Sequence, residues 1–149
     1  MYLLDTNHCS AIILGEPNVI SRITEVRESN IATCVIVQGE LTYMMENSAQ
    51  RETNLVSLTE FIEDIRIYGV TEDTANIYGQ LKAALMRQFG PKEKSKRRKT
   101  QVTDLGFDED ENDLWIAAIS LQHGLSVVSA DSDFQRIQQV RAFSVESWL

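Results

Sequence analysis

The apolar residues of this chain gather in short, nearly unbroken runs: YLL at 2–4, IATCVIV at 31–37, IRIYGV at 65–70 and SVVSA at 126–130, with a weaker one in RAFSVES at 141–147. None shows the strict apolar–polar alternation of a half-solvated antiparallel strand. Continuous apolar strands are those covered on both faces, which is the condition of a parallel sheet. Helix-length segments separate the runs. EPNVISRITEVRES (16–29) has Pro17 near its first helical position and apolar residues at 19, 20, 23 and 26. QGELTYMMEN (38–47), QRETNLVSLTEFIEDI (50–65), TEDTANIYGQLKAALMRQF (71–89) and NDLWIAAISLQHG (112–124) follow, the fourth opening on a Thr cap with acids behind it and the last stopping at His123-Gly124. Strand and helix in alternation specify an α/β fold: a doubly wound parallel sheet of four or five strands with helices on both faces. At 149 residues, with no linker or internal repeat, one domain over 1–149 is expected. Only 90–111 is long and without periodicity, and it is expected to be a loop.

Several classes fall away. No apolar stretch reaches the ~18 residues that a membrane span requires. No basic leader precedes Asp5, so a cytoplasmic rather than a secreted protein is expected. Two cysteines, Cys9 and Cys34, make no disulfide framework, and His8, Cys9, Cys34 and His123 have no zinc-ligand spacing. Gly-rich phosphate loops and a G-x-S-x-G elbow are missing. The net charge of −8 argues against indiscriminate nucleic-acid binding, yet KEKSKRRK at 92–99 holds six of the fourteen Lys and Arg, and six acids follow in DLGFDEDEND at 104–113.

The informative residues are acids where strands end. In open α/β sheets, ligands bind outside the carboxyl ends of the strands. Asp5 and Asp131 follow strands directly, Glu40 is expected in the first turn after IATCVIV, and Asp113 in the first turn of the helix that leads into SVVSA. Each alone has an ordinary explanation as a turn former, a cap or a partner of the helix dipole. Four at one edge are harder to explain so. Two carboxylates ~4 Å apart repel by about 4 kcal/mol at an effective dielectric of 20, against a typical stability of about 5–15 kcal/mol. No Lys or Arg is near Asp5, Glu40 or Asp113 in sequence; only Arg136 is close to Asp131. A hard divalent cation is the simplest compensation, and ligands that are all oxygen suit Mg²⁺ or Mn²⁺. Such a cation acidifies water and stabilises charge on a phosphate, so phosphoryl chemistry is the natural class.

LLDTN, VIVQGEL, NDLWIAA and SADSDF, in this order over nearly the whole chain, resemble the PIN-domain nucleases, and most of all the VapC-type toxins of toxin–antitoxin pairs. The resemblance implies a three-layer sandwich and a metal-dependent endoribonuclease that leaves a 3′-hydroxyl and a 5′-phosphate. Carried over by position, Asp5 and Asp113 are the most direct metal ligands. Glu40 and Asp131 complete the catalytic cluster, directly or through water, and position the attacking water. Thr6 or Asn7 supplies a hydrogen bond to Asp5 or to the scissile phosphate. Ser129 and Asp133 are auxiliary: Ser129 donates to a water at the site or merely ends the strand, and Asp133 is a further acid or only a cap for the helix DFQRI. Mg²⁺ is the implied cofactor, with Mn²⁺ as substitute. The implied partners are an RNA substrate, a second copy of the chain and a small antitoxin that lays a helix in a groove. Leu55, Leu58, Phe61 and Ile62 are candidates for that groove, for the dimer face or for plain core.

The loop at 90–111 is longer than the resemblance requires, and Lys96, Arg97, Arg98 and Lys99 in it are candidates for gripping RNA phosphates; neutralisation by the acids that follow is the alternative. Three other readings compete: a PIN-fold nuclease that processes RNA outside a toxin system, a non-catalytic partner-binding domain, and a phosphatase with a nucleophilic aspartate after its first strand. The phosphatase would want a second acid two residues on, where Asn7 stands.

Overall fold

Leu3 and Leu4, both wholly buried, form the middle of the molecule in strand β1 (Tyr2–Leu4). In this computed structural model, which describes residues 1–107 and 110–149, β1 is flanked by β2 (Ile31–Cys34) and β4 (Ser126–Val128), with β3 (Arg66–Tyr68) outside β2 and β5 (Val145–Glu146) outside β4. All pairings are parallel, with Leu3 opposite Ala32 on one side and Val127 on the other. The order β3-β2-β1-β4-β5 puts the reversal of winding between β1 and β4. That is where a doubly wound sheet opens a crevice at its carboxyl edge.

The helices are α1 (Thr6–Ile13), α2 (Pro17–Val26), α3 (Val35–Glu46), α4 (Arg51–Asp64), α5 (Glu72–Phe89), α6 (Lys94–Arg97), α7 (Asn112–His123) and α8 (Ser132–Gln138). Among these, α1 to α4 pack together, as do α5 with α7 and α7 with α8, and α3 touches α7. Right-handed crossovers send the first group to one face and the second to the other. Helix α7 is apolar nearly all round because the sheet, α5 and α8 cover it: Leu114, Ile116, Ala117, Ala118 and Ile119 are all buried. Burying each large aliphatic side chain stabilises the fold by about 1.5–3 kcal/mol. Gly124 ends α7 in the left-handed conformation at φ 63°.

Three expectations need correction. The run at 31–37 is strand only to Cys34; Val35–Val37 open α3, since a short apolar run does not distinguish a strand from a buried helix turn. Glu40 is therefore the sixth residue of α3, beyond the first turn where the helix dipole alone would explain an acid. Helix α1 was not foreseen, because its Thr-Asn-His-Cys-Ser start carries little helix propensity; it forms on Asp5, whose side chain caps it. The segment 90–111 contains α6 and a 3₁₀ turn at Val102–Leu105, and buried Val102 and Phe107 anchor it. Arg136 lies 4.1 Å from the Phe107 ring and 5.0 Å from that of Phe89, and donates to the Leu105 carbonyl, so it pins this segment. Asp108 and Glu109 of the acidic block lie outside the described residues.

Candidate active site

A cleft of about 700 Å³ opens at the carboxyl edge of the sheet, lined by Asp5, Glu40, Asp113 and Asp131 together with Thr6 and Asn7. Two of the acids arrive as helix caps. Asp5 Oδ1 accepts the backbone N–H of His8 at 2.9 Å, and Asp131 Oδ1 accepts that of Asp133 at 2.8 Å. Each cap occupies Oδ1 and so orients the carboxylate. Asp113 and Asp133 each stand second in their helices, α7 and α8, within the first turn. Capping thus does not compete with a role in the cleft; it supplies the orientation.

Asp113, Asp131 and Asp133 offer ligand oxygens that all lie within 4.8 Å of one another. Asp133 is buried, and α8 is capped by Asp131, so Asp133 is not the cap but an inward acid of this triad. The Asp113 carboxyl is pushed up to about 8, by burial first and then by the charges of Asp131, Asp133, Glu40 and Asp5. Five acids therefore share one field. Among the described residues, the Lys and Arg ion pairs fall on Glu25, Glu46, Glu93, Glu111 and Glu146, not on Asp5, Glu40, Asp113 or Asp131.

Glu40 is held from two sides. Thr6 Oγ1 donates to its Oε2, and Asn112 Nδ2 donates to its Oε1 at 2.9 Å. Thr6 thus orients Glu40 rather than Asp5. Asn112 also bridges the two helical layers, and no sequence signal beyond its place before Asp113 marked it. His8 is the other residue missed. Wholly buried, it donates from Nδ1 to Asp5 Oδ1 at 2.8 Å, and its Nε2 accepts the backbone N–H of Trp148 at 3.1 Å. Ser129 Oγ accepts the Asp131 N–H at 3.0 Å, so it shapes the turn after β4.

The basic residues lie elsewhere. Arg97, Arg98 and Lys99 line a second hollow with Lys82 and Glu111, and Asp110 belongs to the walls of both hollows. Arg97 donates to the carbonyls of Pro91 and Lys92, which spends its guanidinium on folding the loop, while Lys96 pairs with Glu93 at 3.5 Å on the surface. Phe61 lines a mixed hollow of about 400 Å³, where Ile12, Ile13, Ile20 and Ile65 are joined by Glu28, Glu60 and Asp64; Leu58 is core. Among the described residues, no helix is long and apolar enough to cross a membrane.

The family model described as "PIN domain" matches residues 2–140. This chain belongs to the PIN domain family. Among curated relatives, "Ribonuclease VapC2" of Haemophilus influenzae is 27% identical over 149 residues, covering 99% of this chain and 98% of its own length. "tRNA(fMet)-specific endonuclease VapC" of Salmonella typhimurium is 27% identical over 148 residues, covering 99% and 97%. Among solved structures, the DNA-bound VapBC of Salmonella typhimurium has a TM-score of 0.76 at 24% identity, over 99% of this chain and 98% of that one. VapBC2 of Rickettsia felis, bound to a promoter DNA fragment, has a TM-score of 0.75 at 23% identity, again over 99% and 98%. The five-stranded parallel sheet and its helices are thus the PIN fold.

Proposed function

We propose that this PIN domain is a divalent-metal-dependent endoribonuclease, the toxin of a type II toxin–antitoxin pair. The observation that carries the reading is the acid cluster at the β1–β4 crevice, where, among the described residues, the Lys and Arg ion pairs pass by Asp5, Glu40, Asp113 and Asp131. Relatives of the same length named as VapC ribonucleases supply the reaction class. A donor set made only of oxygens, with a triad inside 4.8 Å and an Asp113 carboxyl held up at about 8, suits a hard cation such as Mg²⁺, with Mn²⁺ as substitute. Asp113, Asp131 and Asp133 would hold it, with Asp5 and Glu40 completing the shell directly or through water. Bound there, the cation supplies Lewis-acid charge to the scissile phosphate and to the attacking water.

The protein's own groups do the positioning. The amino ends of α1, α7 and α8 line the cleft, and their dipoles favour negative charge there. Glu40, its two oxygens oriented by Thr6 and Asn112, aligns the attacking water and accepts its proton. Asn7, exposed on the first turn of α1, is placed to donate to a phosphate oxygen. Arg98 and Lys99, across Asp110 from the cleft, are placed to meet the RNA backbone further along. The hollow beside Phe61, its isoleucines joined by Glu28, Glu60 and Asp64, suits an amphipathic antitoxin helix, and the VapBC names of the structural relatives support such a partner. A homodimer working in the cytoplasm completes the reading.

The test is cleavage of total RNA by the purified protein with Mg²⁺ or with EDTA, beside the Asp5→Asn variant. Cleavage is expected only for the wild type with Mg²⁺, with 5′-phosphate ends. Equal cutting by the variant, or in EDTA, would remove this site from the reaction. A fully inert wild type would favour a non-catalytic binding domain.

A further inference from the structure

One oxygen of Asp5 carries two hydrogen bonds from the same residue. His8 donates both its backbone N–H, at 2.9 Å, and its ring Nδ1–H, at 2.8 Å, to Oδ1. The backbone bond is an ordinary helix cap, and any residue but proline at position 8 would make it. The ring bond is not ordinary. His8 has no exposed surface, and its far nitrogen is occupied by the Trp148 N–H, across 140 positions of sequence. A backbone N–H can only donate, so Nε2 offers its lone pair and the ring proton sits on Nδ1. The tautomer that donates to Asp5 is therefore imposed by the strand-β5 end of the chain. Trp148 is fixed in turn, its ring meeting Tyr2 edge-on at 5.2 Å and its Nε1 bonded to Glu146.

We propose that His8 is a positioning residue for the metal site: it locks the Asp5 carboxylate by Oδ1 so that Oδ2 is presented to the cleft, and Trp148 sets the tautomer that does so. The proposal rests on the metal-site reading above. Groups behind a ligand fix its direction, and their loss typically costs 10–100-fold in metal affinity. Here the group is an imidazole behind a carboxylate, and its own support comes from the far edge of the sheet. Two elements remote in sequence, β1 with α1 and the stretch after β5, thereby share control of one ligand.

Two variants split the two ends of the ring. His8→Asn places an amide N–H near the Nδ1 position and loses the bond to Trp148. His8→Gln reaches the Trp148 N–H and loses the donor to Asp5. Mn²⁺ dissociation constants by calorimetry and thermal midpoints are measured for the wild type, both variants and His8→Leu. Expected are a constant within about threefold of the wild type for Asn, and a 10–100-fold weakening for Gln and Leu. Weakening of Asn and Gln alike, weakening that merely follows the midpoints, or no weakening at all would overturn the positioning role. Absence of Mn²⁺ binding by the wild type would instead overturn the metal-site reading. Should the variants fail to fold, ¹⁵N-histidine spectra of the wild type decide: an Nδ1–H tautomer whose signal moves on addition of Mg²⁺ is expected, and an Nε2–H tautomer, or a signal indifferent to Mg²⁺, overturns the proposal.

Discussion

Replacing Asp113 by Asn is expected to stabilise the metal-free protein, and to do so increasingly as pH rises. The Asp113 carboxyl stands at about 8 against an ordinary 3.8, through burial and the four acids around it. Between those values the folded chain keeps a proton that the unfolded chain has released. Stability therefore falls as pH rises through that window, because the unfolded state binds fewer protons. The full displacement corresponds to at most about 6 kcal/mol. The site is open to water on one side, and screening reduces this to about 3 kcal/mol. Coulomb's law gives a similar size: two charges 4.8 Å apart, the outer limit within the Asp113–Asp131–Asp133 triad, repel by about 3 kcal/mol at an effective dielectric of 20. For a chain of this length, 1 kcal/mol moves the midpoint by about 2–4 °C, so the effect is about 6–12 °C.

The assay is thermal unfolding in EDTA at pH 5.5 and 8.5. At pH 5.5 the folded chain still keeps the Asp113 proton while the unfolded chain has released it, so the variant should already lead by about 2–5 °C. At pH 8.5 the variant should melt about 6–12 °C higher. Saturating Mg²⁺ should then raise the wild type, by about 2.7 kcal/mol at a hundred times the dissociation constant, and raise the variant much less. Parallel curves for the two proteins across this pH range in EDTA would refute the claim that Asp113 carries the repulsion of the cluster. A variant that gains as much from Mg²⁺ as the wild type would refute its part in holding the cation.

Glu40→Gln keeps the size of the side chain and groups that can bond Thr6 and Asn112, so the midpoint should stay within about 2 °C while single-turnover RNA cleavage falls about 10²-fold or more; a variant that cuts at the wild-type rate would remove Glu40 from proton transfer. Neutralising Lys96, Arg98 and Lys99, with Arg97 left to fold its loop, should reduce the slope of log affinity for single-stranded RNA against log salt by about 2, and an unchanged slope would take that loop out of the substrate path.

The α/β class and most of the run of elements, α1 and α6 excepted, were legible in the chain because they depend on local pattern: unbroken apolar strands, amphipathic helices, a Thr cap at Thr71 and a glycine stop at Gly124. The gathering of acids at one edge was legible for the same reason, since a carboxylate near a strand end is visible in one dimension. What the pattern did not carry is which oxygens meet. Asp133 reads in sequence as either a further acid of the site or only a cap of DFQRI, and only the packing of α8 against α7 buries it beside Asp113 and Asp131. Arg136, the one cation near Asp131 in sequence, is held instead by Phe89, Phe107 and the Leu105 carbonyl. Asn112 reaches Glu40 across 72 positions, and Trp148 reaches His8 across 140. Periodicity and caps are short-range properties that each segment states for itself. Orientation at a buried site is set by partners from other layers, and those exist only once the sheet has chosen its strand order.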